Sequence, residues 1–249
     1  MTITKLKEIN LLSNGDKYMA NICGNRVHLE GSPEVIENFI RVAQQTAKDV
    51  LDNSDNRDED EKKNYVLRPE AMLHRMGVDT SKLDGCSYDD AIGFIFPDDP
   101  NLEDSVRHMF DVKDNAIEFN CSTAWGEFED CWKALADTFN FDHWCAFSEV
   151  DGDYWVANDP DKKVFKINYI FDCYGQETVA EYIEFEEYET EKALVDDLND
   201  KLGKPFGVTF DTADEWREFL YDEYEDEMVK EIARDEEISK EELDSLIER

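Results

Sequence analysis

The chain has 249 residues, with 62 Asp and Glu against 26 Lys and Arg, a formal charge of −36. No basic patch is present to release counterions from a phosphate backbone, so direct nucleic-acid binding is excluded as an expectation. A content of 41% hydrophobic and 12% aromatic residues is enough for a packed core and argues against disorder. The opening MTITKLKEINLL lacks a signal-peptide apolar segment, and no 18 consecutive residues are apolar, which predicts a soluble, cytoplasmic protein with no membrane span.

In chain order, residues 19–30 (MANICGNRVHLE) alternate up to Gly31 and predict a strand. Ser32-Pro33-Glu34 then supplies an N-cap, a proline at the first helical position and an acid at the positive end of the helix dipole. Val35, Ile36, Phe39, Ile40, Ala43 and Ala47 follow at helical spacing, predicting a helix over 33–51. Residues 52–64 (DNSDNRDEDEKKN) are polar and aperiodic, a linker or the boundary of an insertion. A short helix is expected over 68–76, broken at Gly77. Residues 79–115 read as irregular, with the apolar run AIGFIF (91–96) packing under the core.

A second unit begins at Ala116. Residues 117–121 alternate as a half-buried strand, and 127–139 place Phe128, Cys131, Trp132, Leu135, Ala136 and Phe139 on one helical face. Strands over 144–149 and 154–157 form a hairpin about Asp151-Gly152-Asp153, and 164–171 make a further strand. The order of strand, helix, insertion, strand, helix, strand, strand predicts an α+β fold. It matches a ferredoxin-like split βαβ antiparallel sheet with helices on one face. Residues 1–51 and 116–172 make this core, 52–115 an insertion with an acidic linker, and 173–249 an acidic, mainly helical C-terminal region. Within that region, 181–189 (EYIEFEEYE) read as an edge strand. Thr190 caps a helix with Ala193, Leu194, Leu198 and Leu202 inward, stopped by Gly203 and Pro205. Thr212 opens a longer helix with Trp216, Phe219, Leu220, Tyr224, Val229 and Ile232 inward. Ser239 and Glu242 form a capping box for a last helix carrying Leu243, Leu246 and Ile247.

The segments YMANICGNRVHLEGSPEVIENFI and IEFNCSTAWGEFEDCWKALADTFNFDHWCAFSEVDGDYW carry a resemblance. Through Met19-Ala20-Asn21, Asn25 with Val27, Gly31 to Phe39, Phe119, Thr123-Ala124-Trp125 and the hairpin around Glu149, they resemble the YubB-type ferredoxin-like family of phages and conjugative plasmids. The resemblance implies a ferredoxin-like fold and a home on a mobile element. It brings no catalytic constellation, and the insertion and the acidic tail lie outside it.

The excess charge is uneven. Residues 181–249 hold 26 acids and 8 bases, or −18, half the total. From Thr212 to Glu248 there are 16 acids and 4 bases, a net −12. As one helix that segment spans about 56 Å, or one net charge per roughly 4.6 Å, against roughly 3.4 Å on one DNA strand. Like-charged neighbours such as Glu215 with Glu218, Glu218 with Asp222, Asp222 with Asp226 and Glu223 with Glu227 repel by a few tenths of a kcal/mol each. A merely solvated face ordinarily alternates Glu with Lys. Asp214, Glu215, Glu218, Asp222, Glu223, Asp226, Glu227 and Glu231 are therefore the expected partner-binding residues, facing a protein with a basic nucleic-acid-binding surface. Acidic solubility and a plain solvated helix face compete with this reading. Salt adaptation fits poorly with 17 Lys to 9 Arg.

Catalysis finds little support. His28, His74, His108 and His143 fall in separate segments, and no nucleophile elbow, phosphate loop or zinc-protease motif occurs. Cys23, Cys86, Cys121, Cys131, Cys145 and Cys173 are scattered, as core thiols would be. His143 with Cys145 lacks the paired spacing of a zinc site. Asp151, Asp153, Asp159 and Asp161 do not fit a calcium loop. Trp125, Trp132, Trp144 and Trp155 stand among acids, which favours core packing over an RNA-stacking platform. The expectation is a protein that is not an enzyme and has no cofactor or metal. It inhibits a host nucleic-acid-binding defence complex (a CRISPR effector or restriction enzyme) by charge mimicry. The alternative is an immunity protein or antitoxin that neutralises a basic nuclease toxin.

Overall fold

The computed structural model describes residues 22–52, 65–83, 91–124, 129–150, 154–173 and 176–234. The chain is α+β and divides into two compact units, residues 1–152 and 153–249.

In the first unit, strand β1 (Ile22–Glu30) leads through Gly31-Ser32 into helix α1 (Pro33–Asp52). Strand β2 (Val66–Leu67), helix α2 (Pro69–Arg75), strand β3 (Gly93–Phe94) and helix α3 (Leu102–Arg107) follow. Strands β4 (Asp111–Lys113) and β5 (Ala116–Ala124), helix α4 (Glu129–Phe139) and strand β6 (His143–Val150) complete it. β1 pairs antiparallel with β5 over nine residues, from Ile22↔Ala124 to Glu30↔Ala116. Its other edge pairs antiparallel with β6, from Asn25↔Ser148 to Glu30↔His143, and β4 pairs antiparallel with β5. Within this unit the strand order is therefore β6-β1-β5-β4.

Strand alternation turns Val27, Leu29, Ile117, Phe119 and Ala146 into one core with the apolar stripes of α1 and α4. Phe39 of α1 is its hub. Its ring centroid lies 5.0 Å from Phe139, 5.5 Å from Phe110, 5.6 Å from Phe141 and 6.0 Å from Phe119. Three of these four contacts are edge-to-face, the arrangement the ring quadrupole favours.

The stretch 79–115, read from sequence as irregular, carries β3, α3 and β4. Leu67, Met72, Leu73, Ile92, Ile95, Val106 and Phe110 pack into the same core. These elements are too short for a period to emerge. α3 is held by side chains of α1 instead: Arg107 clasps Glu37, and Lys48 pairs with Glu103. Of the run 91–96, Ala91, Ile92 and Ile95 are buried, whereas Phe96 is 66% exposed.

The second unit contains strands β7 (Tyr154–Ala157) and β8 (Tyr169–Asp172), helix α5 (Glu177–Ala180), strand β9 (Phe185–Tyr188) and helix α6 (Glu191–Leu198). A wide π turn (Asn199–Gly203), helices α7 (Lys204–Phe206) and α8 (Ala213–Tyr224), and strands β10 (Val229–Glu231) and β11 (Ala233–Arg234) follow. β10, β8 and β9 form a three-stranded antiparallel sheet with β8 central, and β11 runs parallel to β7. Phe171, Leu194, Leu198, Leu202, Trp216, Leu220 and Val229 belong to its core.

Three expectations change here. The strand expected over 164–171 is reduced to β8, because the Asp159 carboxylate accepts the backbone N–H groups of Lys163, Val164 and Phe165. That buried turn takes the donors a ladder would need. Gly203 and Pro205 do not stop the helix from Thr190. The chain continues through the π turn and α7 to Gly207, which is left-handed at φ 72°. Pro205 sits in the first turn of α7, where its missing N–H costs nothing. Gly203 is needed for proximity, since a Cβ there would lie 2.8 Å from the Val208 carbonyl oxygen. The long helix from Thr212 ends at Tyr224, and Val229 lies in a strand rather than on a helical stripe. The expected last helix, with Leu243, Leu246 and Ile247, lies outside the described residues.

Candidate partner-binding face

α8 carries the acids singled out from the sequence, and its start is strongly specified. Thr212 Oγ1 accepts the Glu215 backbone N–H, while Glu215 Oε2 accepts those of Asp211 and Thr212, at 3.0 and 3.1 Å. These bonds, the Asp211 backbone first, hold the Glu215 carboxyl below its ordinary range. Glu191 Oε1 accepts the Ala213 N–H at 3.0 Å. Three carboxylates, of Glu191, Asp214 and Glu215, therefore stand at the positive end of the helix dipole.

Ala213, Trp216 and Leu220 bury one face of α8, with Trp216 edge-on to Phe210 at 4.9 Å. At 3.6 residues per turn, Asp214, Glu218 and Asp222 form an i, i+4, i+8 ridge opposite that face, with about 6 Å of rise between successive acids. All three are exposed. Among the described residues Glu218 and Asp222 make no ion pair, while Asp214 pairs with Arg217.

Two cations of this stretch, Arg217 and Lys230, are tied to β10. Arg217 donates from Nε to the Val229 carbonyl at 3.0 Å and lies 3.9 Å from Glu227. Lys230 is buried on β10. Outward, the helix presents carboxylates and one apolar ring, Tyr221, 57% exposed.

Comparison with protein-family models, curated proteins and solved structures gave no match.

The eight expected residues do not share one helix. Asp214, Glu215, Glu218, Asp222 and Glu223 lie on α8, Asp226 and Glu227 in the turn beyond it, and Glu231 on β10. The described helix is 12 residues long, about 18 Å, not a 56 Å rod. Two effects end it. Asp222 and Glu223 crowd the negative end of the dipole with no basic residue in the last turn, and Val229 and Ile232 are β-branched residues suited to a strand. The turn is made at Glu225, left-handed at φ 55°. Asp226 accepts from Gln176 Nε2 at 3.3 Å.

Sequence reasoning passed over Arg217 as a tie between α8 and β10, because its partner carbonyl belongs to a strand the sequence did not reveal. It also passed over a charged cluster on the first unit. The ring of His28 donates from Nδ1 to Glu118 at 2.8 Å and approaches Glu30 through Nε2 at 3.2 Å, and Lys113 reaches Glu118 at 2.7 Å. Burial opposes the charged ring, but the bonds to Glu118 and Glu30 outweigh it and raise the His28 pKa. The His28 bond, opposed by burial and reinforced by Lys113, depresses Glu118 to about 2. The signal was available: His28 and Glu118 lie opposite once β1 and β5 are registered.

Other candidates disperse. Among the described residues no three His, Cys, Asp or Glu side chains are grouped as metal ligands would be. Cys121, Cys131, Cys145 and Cys173 are buried, as are Trp132 and Trp155, whereas Trp144 is partly buried against the core. Trp125 and Cys86 lie outside the described residues. Among the described residues no helix is long and apolar enough to cross a membrane.

Proposed function

We propose that this chain is a phage- or plasmid-encoded inhibitor of a host nucleic-acid-binding defence complex, a CRISPR effector or a restriction enzyme. It acts by nucleic-acid charge mimicry in the bacterial cytoplasm. The observation that carries the reading is the exposed ridge of Asp214, Glu218 and Asp222 on a capped helix whose opposite face is buried, with Lys230 buried and Arg217 pairing with Asp214 alone of the three. Carboxylates fixed in this way can replace phosphates on Lys and Arg of a basic groove without paying the ordering entropy of a floppy tail.

The reading includes a ferredoxin-like core for the first unit. Its support is the βαββαβ succession of β1, α1, β4, β5, α4 and β6, with strand order β6-β1-β5-β4 and both helices on one face. It also takes up the resemblance to the YubB-type family. Asn25 and Thr123, which belong to its two separate segments, are hydrogen-bonded at 2.8 Å. The inhibitor is not an enzyme, binds a protein rather than nucleic acid, and needs no metal or cofactor.

Electrostatic steering raises association rates from about 10⁵–10⁶ to as much as 10⁸ M⁻¹s⁻¹ at low salt and fades with screening. The test is capture of the target from bacterial lysate at low salt, then association kinetics against it from 20 to 200 mM salt. The wild-type on-rate should fall at least tenfold across that range. A variant with Asp214→Asn, Glu218→Gln and Asp222→Asn should bind slowly throughout and lose inhibition. An on-rate that changes less than twofold with salt, or a ridge variant that inhibits normally, rejects mimicry. The immunity-protein reading is favoured by Tyr221, a single exposed aromatic anchor beside the acids, as in interfaces with a few hot spots and a charged rim. It predicts that Tyr221→Ala costs more affinity than loss of the ridge.

A further inference from the structure

On the first unit, α1 and α2 flank an open surface groove of roughly 780 Å³ whose lining includes Arg41, Val42, Asp49, Val50, Arg75 and Met76. In a chain of charge −36 its lining carries two guanidinium groups against one carboxylate, that of Asp49, which pairs with Arg75.

The origin of that charge is specific. Glu37 stands at i−4 to Arg41 on α1, the favoured orientation for a helical ion pair. Both oxygens of Glu37 are instead taken by Arg107 of α3, at 2.7 and 3.0 Å. Arg41 is left with one donor on the Asn38 side-chain Oδ1 at 2.6 Å, and among the described residues it makes no ion pair. A guanidinium has five N–H donors, so most of those on Arg41 remain for a ligand. Arg75 is held over the groove by Asp49, and His74 is oriented by the Thr80 hydroxyl, 2.7 Å from Nε2. Val42, Val50, Ala71 and Met76 supply an apolar wall.

We infer that this groove binds a small amphipathic carboxylate, an anionic head on Arg41 and Arg75 with a short apolar body along Val42, Val50 and Met76. Its volume falls in the roughly 300–1,000 Å³ range of small-molecule sites, which combine apolar walls with a few placed polar groups. A fork-shaped guanidinium matches a carboxylate bidentately. The chain's overall negative charge does not forbid this. At physiological ionic strength screening acts over about 8 Å, so the lining charges, not the distant acids, set the contact energy.

The test uses the full chain with 8-anilinonaphthalene-1-sulfonate as fluorescent anion and octanoate as competitor, at 150 mM salt. Saturable fluorescence displaced by octanoate is expected. Arg41→Gln with Arg75→Gln should weaken both at least tenfold while far-UV circular dichroism stays unchanged. Arg107→Gln supplies a second arm. It touches no part of the groove, but it releases Glu37 to capture Arg41, and should weaken octanoate severalfold. Dye binding that octanoate does not displace, or octanoate binding indifferent to the Arg41 and Arg75 changes, overturns the inference.

Discussion

Replacing Glu118 with Gln should destabilise the first unit in a pH-dependent way that distinguishes a charged network from a neutral hydrogen bond. Glu118 is 21% exposed and lies between His28 and Lys113. Lowering a carboxyl from its ordinary 4.5 to about 2 corresponds to about 3 kcal/mol, at about 1.4 kcal/mol per tenfold change in proton affinity. The carboxylate's contribution is present above pH 4.5, its unfolded value, and is lost as pH falls towards 2. The His28 pKa is raised, so its share is full below its unfolded value of 6.5 and is lost as pH rises through the higher folded value. The network is therefore strongest between about pH 4.5 and 6.5. Urea unfolding followed by circular dichroism should show Glu118→Gln costing about 2–3 kcal/mol at pH 5.5. Once pH has risen through the folded His28 value, a neutral Nδ1–H bond to Glu118 and the exposed Lys113 pair remain, so the cost at pH 9 should be smaller, surface pairs of this kind contributing about 0–1 kcal/mol. The general repulsion of a −36 chain enters wild type and variant nearly alike and cancels. Equal costs at pH 5.5 and 9 would refute an imidazolium between two carboxylates.

Two further changes probe local determinants. Asn25 donates to the Cys121 carbonyl and to Thr123 Oγ1, and accepts from Ser148 Oγ at 2.7 Å, all in buried surroundings. Asn25→Ala should cost about 2–3 kcal/mol in denaturant titration, because the Ser148 hydroxyl loses the acceptor it has here. At the end of α8 the effect reverses: Glu225 occupies a left-handed conformation that a side chain resists by about 1–2 kcal/mol. Part of that gain is lost to the extra freedom of glycine in the unfolded chain. Glu225→Gly should thus raise stability by about 0.5–1 kcal/mol, and a lower thermal midpoint would contradict the assigned turn.

Legibility followed the range of the deciding interaction. α1 was readable almost to the residue, since Ser32-Pro33-Glu34 and the apolar stripe from Ile36 to Ala47 are local signals. α4, β6 and β7 were readable for the same reason, within a residue or two at each end. Where a local signal had a competitor, the reading failed. Val164 and Phe165 look like strand residues, but their N–H groups are claimed by a carboxylate five or six positions earlier. Val229 fits a helical stripe as well as a strand. Only the ladder of β10 with β8, closed across nearly 60 residues of sequence, decides between them. At the candidate face the charges were legible but their division among helix, turn and strand was not.

That division narrows the proposed mimicry. As a continuous rod, the acidic segment would imitate a long run of phosphates. As built, α8 offers Asp214, Glu215, Glu218, Asp222 and Glu223 along about 18 Å. The same length of one DNA strand carries about five phosphates. Only Asp214, Glu218 and Asp222 share the ridge, about 6 Å apart in rise, roughly half the linear density of that strand; Glu215 spends its lone pairs on the helix start while keeping its charge, and Arg217 neutralises part of Asp214. Beyond Tyr224 the chain changes direction, and Asp226, Glu227 and Glu231 no longer follow the ridge. A target addressed by this face is therefore one whose cations read a short stretch, such as a recognition element or the mouth of a channel. A target that needs a long uninterrupted polyanion along one straight groove does not fit an imitation that ends after three helical turns.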